Sequence, residues 1–423
     1  MKLLHKALSS IVAFRERQGF WIFGSILIER LGSFLLTAVM ARTLSPMGFG
    51  QLSSIRTALG VVQPLAGGGA QHALLRYGVL LPTDDERRIL TLGAIAFGSF
   101  FSIIPIIGLI LWYLYFSPSF SDEGEYSFWI IVFSLASYNL FEIVRNYCRI
   151  VSDNKRFVFL GMTYTVLLII LGWLVSRWGI VGFASLFALI PLLLGLSAIP
   201  QLLIHHRNIV MPKRDFWYYG FHVGSGAMVN QLFFSLDILL LTATGTDSSL
   251  IAAYKIATII PYSLFILPGS FLSADLLHLT RHSHDRSALM EYIRSYFSIF
   301  ALLTPILIAM LWFLSEPLIE WCFGNNYPLS ASLQNIFLVG LAGTFLLRIP
   351  FGNILQAVGK ANWNVWHAVL LIPLSAIAMH QAIETHGVIG AAWVTSITFL
   401  ISGIISLLLF GLYLRTLAKS NHQ

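Results

Sequence analysis

Charge is scarce in this chain of 423 residues: 11% are Asp, Glu, Lys or Arg, against about 25% in soluble domains. That scarcity excludes an ordinary water-soluble enzyme. Cysteine is scarcer still. Cys148 and Cys322 are the only two, with no CxxC and no His/Cys cluster at ligand spacing, so no metal, redox centre or other cofactor is expected. The first 18 residues lack the small-residue cleavage pattern of a signal peptide, so the first apolar run is expected to stay in the mature chain. Long polar segments are missing too. The longest, 316–332 and 278–291, are too short for a soluble domain, and any chemistry is expected inside the apolar bundle. The isoelectric point near 9.4 does not indicate nucleic acid, because the basic residues lie in short loops between apolar runs.

Apolar runs are what the chain has in abundance, with 57% hydrophobic residues and a mean hydropathy of +0.78. About 20 apolar residues make one crossing. Spans are predicted at 19–41, 52–80, 89–116, 127–147, 157–177, 181–204, 217–244, 251–277, 292–315, 333–358, 364–384 and 390–414. The fold class is therefore an all-α integral membrane protein of twelve transmembrane helices. Lys2, Lys6, Arg15, Arg17, Arg87, Arg88, Arg149, Lys155, Arg156, Arg207, Lys213, Arg214, Arg281, Arg286, Lys360, Arg415 and Lys419 lie on the side of the N-terminus, against only Arg42 and Arg177 on the other. The positive-inside rule then places both termini in the cytoplasm, and an even number of spans agrees. The two cysteines fall on opposite faces and cannot pair.

The chain repeats a short motif. Gly179-Ile180-Val181-Gly182-Phe183-Ala184 follows the fifth span and Gly387-Val388-Ile389-Gly390-Ala391-Ala392 the eleventh, an offset of 208 residues from 179 to 387. The copies occupy equivalent loops of two six-span halves, which predicts two lobes related by a pseudo-two-fold axis along the membrane normal, residues 1–210 and 211–423. The polar linker 205–216 is the boundary. Two unrelated glycine-cornered hairpins are the alternative.

Charged residues within spans mark pathways, because an ionisable group in hydrocarbon is costly and faces a bundle interior or water. Arg56, Gly60, Gln63, Gly67, Ala70 and Gln71 share one face of the second span, and the run from Pro64 to Ala70 (PLAGGGA) breaks its helix. Unwound backbone at membrane depth lines a cavity or is buried in protein, and close packing through small residues is the competing explanation. The first span aligns Trp21, Ser25, Glu29 and Gly32, with Arg30 about 100° round. The seventh aligns Tyr218, His222, Ser225, Asn230 and Asp237, with His222 read as a hydrogen-bonded interior group. The eighth gives Lys255, Thr258 and Tyr262, with Pro261 and Pro268 as kinks. Glu142 and Arg145, three residues apart on the fourth span, are expected to pair with each other. Arg76 is expected to reach the cytoplasmic surface, and 84–88 to form a solvated loop. The remaining balance is modestly positive and suits an anionic group such as a phosphate or pyrophosphate.

From this follow the candidate residues. Arg30, Arg56, Lys255, Arg348 and Gln63 would contact the cargo, although structural ion pairing or snorkelling also accounts for a lone cation. Glu29 and Asp237, acids on corresponding helices, would bind a coupling ion, or else form salt bridges to Arg30 and Lys255. Pro64, Gly67, Pro261 and Pro268 would supply kinks and gates.

The stretch from Gly32 to Gly50 (GSFLLTAVMARTLSPMGFG) resembles the first-hairpin signature of the Wzx-type polysaccharide flippases, in which a small-residue helix runs into an AR-x-L-x-P-x-x-F/Y-G turn. Ala41-Arg42-Thr43-Leu44-Ser45-Pro46 and Phe49-Gly50 match that turn. Gly67-Gly68-Gly69-Ala70 with Leu75-Arg76-Tyr77, Leu355-Gln356-Ala357-Val358-Gly359-Lys360 and the second glycine motif are similar to later family segments, so the likeness covers essentially the whole chain. The family belongs to a superfamily that includes multidrug exporters and lipid II flippases. The resemblance implies a V-shaped exporter fold in the bacterial inner membrane. It also implies alternating access, coupling to a proton or Na⁺ gradient, and export of undecaprenyl-pyrophosphate-linked oligosaccharide for O-antigen or a related polysaccharide. Membrane lipids, a polysaccharide polymerase and a chain-length regulator are the partners implied. A multidrug exporter with an acidic or aromatic cavity fits the cationic excess less well, and a membrane polysaccharide polymerase would need a sizeable extramembrane loop.

Overall fold

The structure is a computed structural model and describes residues 19–116, 120–203, 210–269, 279–280 and 283–420, with side chains placed from 27 to 417. Lys2, Lys6, Arg15, Arg17, Arg207, Arg281, residues 205–209 of the linker and residues 270–277 of the eighth span lie outside it, as do the side chains of Trp21 and Ser25.

The described residues form helices and no strands. In chain order they are α1 (Gly19–Thr43), α2 (Pro46–Val62), a 3₁₀ stretch (Gln63–Gly69), α3 (Ala70–Tyr77), α4 (Asp84–Phe101), α5 (Ile103–Phe116), α6 (Asp122–Ile150), α7 (Asn154–Val175), α8 (Gly179–Leu203), α9 (Arg214–Ala243), α10 (Ser248–Ser263), α11 (Arg286–Phe323), α12 (Ser330–Gly343), a π turn (Thr344–Arg348), α13 (Ile349–Ala357) and α14 (Ala361–Ser420).

Among the described residues, eight helical stretches are long and apolar enough to cross a membrane. Two of them, of 50 and 57 residues, would each measure more than about 70 Å if straight, over twice the ~30 Å hydrocarbon core. Each bends back at a glycine of the repeated motif. Gly179 has φ 58° and ψ −143°, and Gly387 has φ 57° and ψ −140°. Only glycine populates that region readily, and the same backbone solution recurs in both copies.

Local chemistry sets several helix starts. Ser45 caps α2 by accepting the Gly48 N–H at 3.1 Å, with Pro46 in the first turn, where its missing N–H does no harm. Residues 84–88 are not the expected loop. They are the first turn of α4, held by a reciprocal cap between Thr83 and Glu86 and by Arg87–Asp84 at 2.8 Å. The expected 316–332 loop is also largely helical, because α11 runs on to Phe323.

The chain divides into two compact units: Met1–Gly48 with Ala58–Met228, and Phe49–Thr57 with Val229–Gln423. The division cuts α9 in half and α2 twice, the middle of α2, Phe49–Thr57, going to the second unit and both its ends to the first.

In the first unit α6 packs along α8 and α1 along α7, through small residues that let helices approach. A Cβ at Gly32 would run into Thr165, and one at Gly195 would meet Leu140 at 2.8 Å. In the second unit, Phe49–Thr57 pack onto the start of α10. Gly50 lies against the Ser248 carbonyl, and the Thr242 hydroxyl bonds to Ser54 at 2.9 Å. Apolar side chains on the outer surface, among them Ile107, Leu111 and Leu114 of α5 and Leu302, Ile306 and Phe313 of α11, are exposed as a lipid-facing surface requires.

Candidate functional site

In the first unit Glu29 does not pair with Arg30. Its carboxylate forms an ion pair with Arg145 of α6, which also lies 3.6 Å from Glu142. Gly161 of α7 leaves the room these groups occupy, since a Cβ there would strike the Glu29 carboxylate. The Phe157 ring covers the other side of the guanidinium, 4.2 Å away. Arg145, buried to 8% exposure, is thus neutralised across two helices, while Arg30 is exposed on α1.

The helix break expected around Pro64 is present. Ala66 leaves the helical region, and Gly67, Gly68 and Gly69 all have φ between 62° and 73°. The broken stretch is packed within the unit. The Gly67 N–H donates to Ser102 Oγ at 2.8 Å, at the point where α4 gives way to α5, and Gly69 lies against the Gly220 carbonyl of α9. Gln63 and Pro64 are half-buried at the head of this stretch, and Gly67 is buried. Arg76 is exposed, and its guanidinium lies 4.6 Å over the Tyr219 ring.

The second unit holds the other polar centre. Asp237 of α9 is 3% exposed. Its Oδ2 accepts the Tyr254 phenol at 3.0 Å, and its Oδ1 accepts the Ile238 N–H at 2.8 Å. The Tyr254 hydroxyl lies 3.1 Å from Thr395 Oγ1. A narrow cavity beside the carboxylate is lined by Asp237, Ser375, Thr395 and Thr398 together with Phe233 and Phe399. Lys255, next to Tyr254 in α10, lies within electrostatic reach of both Asp237 and Arg56. Pro261 is inside α10. That helix gives way at Leu264, the residue whose carbonyl Pro268, lacking an N–H, cannot bond.

Arg348 ends the π turn. Its guanidinium lies 4.3 Å from the Phe233 ring centre, 4.4 Å from Phe234 and 5.8 Å from Phe399. Nη1 is buried without a hydrogen-bond partner, as is the Tyr262 hydroxyl. Phe233 and Phe399 therefore both line the acid's cavity and lie beside the guanidinium. A guanidinium among ring faces is stabilised by each ring, yet retains unused donors.

Neither a protein-family profile nor a curated protein matches the chain. Solved structures do. A multidrug resistance MATE family transporter of the MOP superfamily, in its inward-facing conformation, superposes with a TM-score of 0.70 at 13% identity, covering 91% of this chain and 95% of that one. The lipid II flippase MurJ, inward closed, gives 0.68 at 18% identity over 91% of this chain and 86% of its own. A MOP superfamily transporter from Pyrococcus furiosus with a binding pocket of reverse polarity gives 0.64 at 14% identity, covering 95% of each. The chain shares the fold of these proteins.

Of the residues singled out in the sequence, the fold gathers Arg56, Lys255 and Asp237 in the second unit and sets Arg348 beside rings that also line the acid's cavity. Arg30, Gln63, Pro64, Gly67 and Glu29 belong to the first unit. Sequence reading missed Tyr254, Thr395 and the rings of Phe234 and Phe399 beside Arg348, which come from separate helices. It also discounted Arg145 as a partner of Glu142 alone.

Proposed function

We propose that the chain is a flippase of Wzx type. It would carry a polyprenyl-pyrophosphate-linked oligosaccharide, the repeat unit of O-antigen or a related surface polysaccharide, from the cytoplasmic to the periplasmic leaflet of the bacterial inner membrane. The observation that carries this reading is the distribution of charge. Glu29 and Glu142 are engaged by Arg145, and Asp237 by a phenol, whereas Lys255 and Arg348 make no salt bridge among the described residues. The charge left for a cargo is positive. Arg348, Lys255 and Arg56 of the second unit hold the pyrophosphate and acidic sugars by charge-assisted hydrogen bonds.

Asp237 carries the coupling ion. Its cavity admits a proton or a small cation but no sugar ring, and the Ser375, Thr395 and Thr398 hydroxyls are oxygen ligands of the kind Na⁺ accepts. Glu29, tied to Arg145, is the less available of the two acids. A polymerase and a chain-length regulator receive the unit on the far side.

A multidrug exporter is the second reading, favoured by the rings of Phe233, Tyr262, Phe265 and Phe399 near an acid, a setting that suits flat cations. Complementation of a deletion strain separates the two. Arg56→Ala, Lys255→Ala and Arg348→Ala are expected to insert normally, abolish long-chain surface polysaccharide and leave drug susceptibility unmoved. Full-length polysaccharide with raised susceptibility to cationic drugs would establish the second reading instead.

A further inference from the structure

The π turn between α12 and α13 has an identifiable cause. The Ile349 N–H bonds to the Thr344 carbonyl, five residues back, where an α-helix would use Phe345. Pro350 follows. It has no N–H, and in a regular helix its ring would press on the Leu346 carbonyl. A wider turn relieves that contact and leaves the Phe345 carbonyl without its helical donor. Tyr296 of α11 supplies one: its phenol donates to the Phe345 carbonyl at 2.6 Å. Tyr296 is fully buried and stacked on Phe300 with ring centres 4.4 Å apart, so the donor is rigidly placed.

Arg348 closes this turn. A π turn is one residue more than the helix needs. If it moves along the chain past a residue, that residue rotates by about 100° about the helix axis while the flanking helices keep their register. A shift past Arg348 would let the Ile349 N–H take the Phe345 carbonyl. It would also carry the guanidinium away from Phe233 and Phe234 and strand the Tyr296 hydroxyl in the core, where an unpaired hydroxyl is unfavourable.

We infer that Tyr296 is a positioning residue: with Pro350 it holds the π turn in place and so fixes the direction in which Arg348 points. The inference about the turn stands on backbone geometry; its meaning for transport rests on the reading of Arg348 as a cargo contact.

The test is phenylglyoxal labelling of individual arginines in the full-length purified protein, read by mass spectrometry, for wild type, Tyr296→Phe and Pro350→Ala. In wild type, Arg348 should label more slowly than exposed Arg415. Either variant should raise labelling at Arg348, by about fivefold in Tyr296→Phe for the loss of one ordinary hydrogen bond, and leave buried Arg145 unchanged. Export by Tyr296→Phe should fall even though Arg348 is still present. Arg348 labelling that stays at the wild-type rate in both variants would overturn the positioning role, and so would a parallel rise at Arg145, which marks general loosening. The export result for Arg348→Ala is separate: full activity there sinks the cargo-contact reading while leaving the labelling result intact.

Discussion

Arg145 shows what a single helix conceals. Its neighbour three residues back, Glu142, is visible in the sequence, whereas Glu29 lies 116 residues away and reaches it only because α1, α6 and α7 pack around Gly161. Removing one partner of a fully buried pair is unfavourable by roughly 3–5 kcal/mol. Because the Glu29 side chain is 26% exposed, Arg145→Ala or Glu29→Gln is expected to lower stability by less, about 2 kcal/mol, measurable as a lower midpoint in detergent unfolding. The exchange Glu29→Arg with Arg145→Glu should recover part of that loss, and a double mutant no more stable than either single one would argue against direct pairing. The setting of Arg348 was hidden for the same reason: its rings come from α9 and α14, and no spacing along one helix brings them together.

At the scale of elements, backbone chemistry was more legible. The run PLAGGGA announces a break, since proline withholds a donor and three glycines accept positive φ, and the helix opens there. The π turn was not foreseen, although Pro350 marks its place, because its fixing donor, Tyr296, comes from another helix. Asp247 caps α10, accepting the Ser249 N–H at 2.6 Å, and the Ser249 side-chain and backbone donors hold its carboxyl below the usual carboxylate value. Its contribution is therefore complete above the ordinary carboxylate pKa and is lost as pH falls through the lowered one. Asp247→Ala should weaken the protein by about 1 kcal/mol at neutral pH. Asp247→Asn, which keeps an acceptor, should retain most of the stability and lose this acid-side dependence, as unfolding midpoints across pH would show. At Gly50, where the Ser248 carbonyl leaves no room for a Cβ, Gly50→Ala should be unfavourable by about 1–3 kcal/mol, the usual range for overpacking. Unchanged thermal stability would contradict that close approach.

For the whole molecule, an all-helical membrane protein follows from how little charge the chain carries and where its apolar runs fall, because a bilayer admits few architectures and each crossing leaves a long signal, whereas the exporter fold was expected only from the family resemblance. The glycine motif also served, its two copies turning the chain through one backbone conformation. The allotment of Phe49–Thr57 to the second unit was not legible, since it depends on tertiary contacts such as Gly50 with Ser248 and Ser54 with Thr242. The central claim concerns cargo, and leaflet-resolved analysis of polyprenyl-linked sugars in a deletion strain tests it most directly. The account predicts intact repeat units stranded in the cytoplasmic leaflet, with long surface chains lost. Units that reach the periplasmic leaflet at the normal rate would contradict it.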